Sequence, residues 1–165
     1  MTTATATREH RPAARGAPTA RRDTHHPFER SSGQPIVAAV DGSAAATGAV
    51  KTAARMAREL AAPLVLVYVR RGPSWALGTP YYQQRLDDEM GSARWALGAA
   101  KAAARRAGVE AEGEILEGDP ARRVVEFARD RAARLLVLGS PRRRFGRSVA
   151  RRVIRSADRP VVVTA

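Results

Sequence analysis

The sequence predicts an open, mostly parallel α/β sheet with helices on both faces. Short continuous apolar runs alternate with longer stretches whose apolar residues recur at helical spacing, and turn residues bound each run. Continuous rather than alternating hydrophobicity marks strands buried on both sides, as parallel strands beneath crossover helices are. At 165 residues and 44% hydrophobic content, the chain has enough material for one ordinary domain with a substantial core.

Each element follows in order. Residues 1–34 show no hydrophobic period and are rich in Thr, Ala, Arg and Pro, the composition of a disordered basic tail; the folded domain is expected over residues 35–165. The first strand, Ile36 to Val40, runs into Asp41-Gly42-Ser43, a turn whose serine is placed to cap the next helix. That helix is expected to about Ala61, with Val50, Ala53, Ala57 and Leu60 on one face, and Pro63 stops it. Leu64 to Val69 reads as a second buried strand, and Arg70 to about Gln83 as a loop carrying Trp75, Tyr81 and Tyr82.

A long helix is expected from Gln84 to Ala107. Leu86, Met90, Ala93, Leu97, Ala100 and Ala104 align along it, and Gly108 ends it. Trp95 falls opposite this stripe, where an ideal helix exposes it; burial under local structure is the expectation, with a subunit contact as the alternative. Val109 to Leu116 alternates with Glu110, Glu112 and Glu114, as suits an edge strand. Asp119-Pro120 starts a helix, because Asp is a good N-cap and Pro is tolerated at the first helical position. Its buried stripe is Ala121, Val124, Val125, Ala128 and Ala132. A fourth strand over Leu135–Leu138, a fourth helix over Ser148–Ala157 capped by Ser148, and a fifth strand over Val161–Thr164 complete the chain.

Composition limits function. There is no cysteine, which removes disulfides and thiolate metal sites, and all three histidines, His10, His25 and His26, lie in the tail, so no metal site is expected. No apolar run is long enough to span a membrane and the N-terminus lacks the apolar core of a secretory signal, so a cytoplasmic protein is the default. Net charge is +13, and Lys51 and Lys101 are the only lysines beside many arginines. Such a balance favours acidic partners, nucleotides or nucleic acid, the latter through the Arg142–Arg159 face; arginines on solvated helix faces are the simpler reading. Asp87, Asp88 and Glu89 are adjacent on one helix and cannot face one another as an acid/base pair. No Ser/His/Asp arrangement falls on ordered elements, so a non-catalytic protein is expected, with slow ATP hydrolysis at most.

Several segments carry a family resemblance. Val37-Ala38-Ala39-Val40-Asp41-Gly42-Ser43, Glu117-Gly118-Asp119-Pro120, Leu135-Leu136-Val137-Leu138-Gly139-Ser140, and Ser148-Val149 with Arg159-Pro160-Val161-Val162-Val163 resemble, in order and spacing, the motifs of the universal stress protein family. The resemblance covers residues 35–165. It implies an adenine nucleotide alpha hydrolase-like sheet of strand order 3-2-1-4-5, and a homodimer paired through the last strand at Val161, Val162 and Val163. For a stress-response module of this kind it implies ATP or another adenine nucleotide as cofactor. Carried over, Ala39, Val40 and Asp41 match the segment that approaches the adenosine, and Val69 the base contact. Gly139 matches the first phosphate-loop glycine, and Ser148 and Val149 the helix start that follows the loop.

The loop departs from the family pattern G-x2-G-x9-G-[ST]. Arg142 stands at the second glycine, and only eight residues separate Gly139 from Ser148; with Ser148 aligned, the preferred reading, Arg147 stands at the third glycine, whereas with Gly146 as that glycine Arg147 replaces the Ser/Thr. A shorter loop offers fewer backbone N–H groups to a triphosphate. Arg142, Arg143, Arg144 and Arg147 are placed to supply guanidinium forks instead, which points to an altered site for a smaller anion such as a mono- or diphosphate nucleotide. Loss of the nucleotide site altogether is the other outcome this loop allows.

Overall fold

The protein, described by a computed structural model, is defined over residues 33–72, 79–140 and 148–164. Strand β1 (Ile36–Val40) leads into helix α1 (Ala44–Glu59), then β2 (Leu64–Arg70), α2 (Thr79–Arg106), β3 (Ala111–Glu117), α3 (Pro120–Asp130), β4 (Leu135–Gly139), α4 (Val149–Ser156) and β5 (Val161–Thr164). The five strands form one parallel sheet in the order β3-β2-β1-β4-β5. The most apolar strands, β1, β2 and β4, are the inner ones, and β3 with its alternating glutamates is an edge strand.

Successive residues of each strand point to opposite faces, so the sheet serves two cores. Ile36, Ala38, Leu64, Leu66 and Val137 pack against α1 and α2. Val37, Val65, Val67, Leu136 and Leu138 pack against α3 and α4. Most of these side chains are completely buried, and each fully buried Val, Leu or Ile contributes about 1.5–3 kcal/mol. The core of α2 is largely alanine: Ala93, Ala96, Ala100, Ala103 and Ala104 flank Leu97. Small residues let this long helix lie close to the sheet.

Three boundaries differ from expectation. Helix α2 begins at Thr79 rather than Gln84, so Tyr81 and Tyr82 sit on the helix and not in a loop. Pro80 reads as a loop residue in sequence, yet a first helical turn does not need the N–H that proline lacks. Helix α1 ends at Glu59, and Ala61 turns the chain with φ of 48°. Strand β3 starts at Ala111 because Val109 N–H bonds back to Ala104 and closes α2. None of the described helices is long and apolar enough to cross a membrane.

Gly139 ends β4 under the first turn of α1. A Cβ there would lie 2.4 Å from the Ala45 carbonyl carbon and 2.7 Å from the Ala46 nitrogen. Both are backbone atoms, so no side-chain rotation relieves the clash. We expect Gly139→Ala to lower folding stability by about 1–3 kcal/mol in urea denaturation, whether or not a nucleotide is present. An unchanged midpoint would mean that the α1 turn yields at no cost.

Candidate functional site

In open parallel sheets ligands bind beyond the carboxyl ends of the strands, where the strand order reverses. Here that point lies between β1 and β4, and the chain leaving β1 is tightly fixed. Gly42 takes φ of 82°, a conformation that favours glycine. Asp41 Oδ1 accepts the Ser43 N–H at 2.9 Å, and Ser43 Oγ accepts the Ala46 N–H at 3.1 Å, capping α1 as the sequence predicts. The second carboxylate oxygen of Asp41, on an exposed side chain, remains an acceptor for a ligand.

Beside this turn lies a cleft of about 440 Å³ lined by Asp41, Gly42, Tyr68, Gly91, Ser92, Trp95 and Ala96. Its size falls in the range of small-molecule sites. One wall is the end of β2, the other the exposed face of α2. Trp95 is 69% exposed, which corrects the expectation that local structure buries it. No loop covers it among the described residues; one edge of the indole faces the Asp41 turn, where a Cβ on Gly42 would lie 3.5 Å from the ring. Sequence reasoning named Asp41 for this place but missed Tyr68 and, as a cleft residue, Trp95. The available signal was the pairing of Tyr68 with Val40 at the last β1–β2 register position, next to the motif.

Of the other carried-over residues, Val40 is buried in the first core, and three gather on the α3/α4 face. Ala39, Val69 and Val149, with Leu116, are partly buried around the second core. Val69 is paired with Leu116 of β3, but β1 offers it no partner, because that ladder ends at Val40 and Tyr68. Gly139 lies at the end of β4, held there by packing rather than by any requirement of an anion. Ser148 occupies the N-cap position of α4 with extended φ and ψ, but its side chain makes no cap hydrogen bond, a correction to the cap role expected of it. The first N–H groups of α4 are left as the usual donors of a helix start. Arg142, Arg143, Arg144 and Arg147, like Trp75 and the tail through residue 32, lie outside the described residues.

One contact fixes α4 on this face. Arg152 forks onto Asp119, with Nη1 2.8 Å from Oδ2 and Nη2 2.6 Å from Oδ1. Asp119 Oδ1 also caps α3 by accepting the Arg122 N–H at 3.1 Å. The Arg152 guanidinium, and then the Arg122 N–H, hold the Asp119 carboxyl below its ordinary range. A similar effect of Arg159 brings Asp158 down to about 2. Between α3 and α4 a groove of about 440 Å³ gathers Arg122, Arg129, Arg152 and Arg155. Three of these face carboxylates: Arg122 on Glu126, Arg129 on Asp158 and Arg152 on Asp119. The groove is thus largely charge-paired rather than a bare cationic track. Among the described residues no three acidic or histidine side chains converge as metal ligands.

A parallel five-stranded sheet of this order with helices on both faces defines an open, Rossmann-like α/β domain. Comparison with known proteins narrows this. The family model "Universal stress protein family" matches residues 33–165, and the chain belongs to that family. It is 34% identical over 142 residues to Universal stress protein MJ0531 of Methanocaldococcus jannaschii, a match covering 78% of this chain and 79% of that protein. It is similar in structure to a universal stress protein from Archaeoglobus fulgidus in complex with dAMP, with 32% identity and a TM-score of 0.66 over 79% of this chain and 96% of that one. A universal stress protein family member from Burkholderia pseudomallei gives 32% identity and a TM-score of 0.63 over 78% and 94%.

The Asp119 carboxyl has a lower pKa folded than unfolded, so its contribution to stability is present above the ordinary aspartate range and is lost as pH falls through the folded value. We expect Asp119→Asn to be less stable than the parent by about 1 kcal/mol or less at pH 7, as for a half-exposed ion pair. The gap should close as pH drops below about 3.9 in chemical denaturation. A gap that persists in acid would show that the carboxylate charge does not carry the effect.

Proposed function

We propose that the chain is a non-catalytic regulatory module that takes an adenine nucleotide, with the base end of the family's site kept and the phosphate end altered. The observation that carries this reading is the Asp41 turn at the carboxyl end of β1, where the strand order reverses, with Ala39, Val69 and Val149 gathered on one face of the sheet. The relative from Archaeoglobus fulgidus, described with dAMP, supports adenine as the base. The shortened Gly139–Ser148 span and the arginines inside it support a monophosphate rather than a triphosphate. The positive net charge of +13 raises the local concentration of such anions.

Calorimetric titration with ATP, ADP and AMP tests the reading. AMP is expected to bind at least as tightly as ATP, and Asp41→Ala to weaken AMP by about tenfold, the loss typical of a hydrogen bond to a charged group. The absence of binding by all three at millimolar concentration would sink it.

We further propose that the module is a homodimer through β5. This strand is a sheet edge carrying Val161, Val162 and Val163, of which Val163 is 40% exposed. An apolar edge of this kind calls for cover. Light scattering should give twice the monomer mass of 17.7 kDa, and Val163→Lys should give the monomer. A monomeric parent at micromolar concentration would overturn this assignment.

A further inference from the structure

Helix α2 turns one face outward. Tyr81, Asp88, Trp95, Ala99, Ala102 and Arg106 recur along it at steps of three, four and seven residues, so they share a side, opposite the buried Ala93, Leu97, Ala100 and Ala104. Tyr81 and Trp95 are two of the four large apolar side chains left exposed among the described residues, and both stand on this face. Trp95 is also held in place, because one edge of its indole lies against the Asp41 turn, where a Cβ on Gly42 would come within 3.5 Å of the ring. Gly91 and Gly98 flank it and weaken the helix, yet a Cβ at either would meet nothing in the described chain. Charge is polarised along the same face, with Asp88 toward the start and Arg106 at the end, both exposed. Their neighbours Glu89 and Arg105 pair within the chain, with Arg70 and Glu110, whereas Asp88 and Arg106 have no ionic partner among the described residues.

We propose that this face of α2 is a self-association surface, on which a second copy of the chain lays its own α2 antiparallel. A two-fold axis crossing the helices at Leu97 sets Trp95 of each copy over Ala99 of the other. The same register sets Asp88 of each copy against Arg106 of the other. A parallel pairing would bring like charges together instead, so charge complementarity selects both the partner and its direction. Trp95 is the aromatic anchor near the centre of the seam, and the small residues Gly98, Ala99 and Ala102 leave room for it. The helix has 28 residues, roughly 42 Å at its regular rise, so the charged ends and the centre all fall within it. Helix α2 packs on β2 and β3, the side of the sheet away from β5, and this surface is therefore separate from the β5 edge. It rests neither on the nucleotide reading nor on β5 pairing. One helix pair is small beside a standard interface of about 1,600 Å², so association belongs above the micromolar range in which β5 pairing is read.

Sedimentation equilibrium of the full chain carrying Val163→Lys, from micromolar to millimolar concentration, tests this with the β5 edge disabled. The weight-average mass should rise about twofold over that range. Adding Trp95→Ala should weaken the association by about tenfold or more. Because Trp95 is exposed, this change leaves no cavity, and matching melting curves will confirm that the variant folds. Asp88→Arg alone and Arg106→Asp alone should each weaken association by a similar factor, since each sets like charges together twice across the two-fold axis. The two changes combined should restore it, which a general loss of folding or solubility would not do. The chain has two tryptophans, so Trp75→Phe leaves Trp95 as the sole emitter, and its emission should shift to the blue along the same concentration curve. A mass that never rises, a rise indifferent to Trp95→Ala, or a double charge swap no better than either single change overturns the proposal.

Discussion

The close approach of α1 to the end of β4 is the constraint on which the ligand edge depends. It exists because Gly139 has no Cβ: the Ala45–Ala46 backbone occupies the place a side chain would take. With α1 seated there, Ser43 must cap it at the sheet edge, and Asp41 must fold back onto the Ser43 N–H. Gly42 then reverses the chain with positive φ. The turn so formed presses on the side of Trp95 and supplies one wall of the cleft. A missing methyl group in β4 thus sets the position of a carboxylate at the end of β1.

On the opposite face, charge pairs supplement the second apolar core. Helix α4 is only eight residues long and buries just Ala150 and Val153. So short an amphipathic helix has little intrinsic stability. The fork from Arg152 to Asp119 ties it to the start of α3, and Arg159 adds hydrogen bonds to the Ala128 and Ala133 carbonyls below. The ion pair is half exposed, so its worth lies in orientation more than in stability. It fixes where the α4 N-terminus, the natural anion-facing end of a helix, stands relative to β4.

Much of the fold was legible because the strands that matter are buried on both faces. Ile36–Val40, Leu64–Arg70 and Leu135–Gly139 show this as continuous apolar runs, and Asp119-Pro120 marks its helix start within a residue. The start of α2 was not legible, since Pro80 signals a break in most contexts and the first turn of a helix is the exception. The site divides in the same way. Asp41, Ala39 and Val69 sit in local motifs and could be named; the cleft could not, because Tyr68 and Trp95 meet only when α2 packs over the end of β2. The Asp119–Arg152 pair was hidden for the same reason: Asp119 shows its capping role locally and its charge partner only in three dimensions.

Gly139 also changes how the loop after β4 is to be weighed. A glycine required by α1 packing would be kept whether or not a phosphate ever approached it, so its presence says little about anions. Arg142 and Arg147, which stand where the family pattern has glycine, belong on the proposed reading to the phosphate end. On that reading the base end draws instead on the ends of β1 and β2, at Ala39, Asp41 and Val69. Binding free energy therefore shifts from the phosphates toward the base. Such a site discriminates among bases more strongly than among phosphate chain lengths, the reverse of what a glycine-rich cradle around a triphosphate achieves.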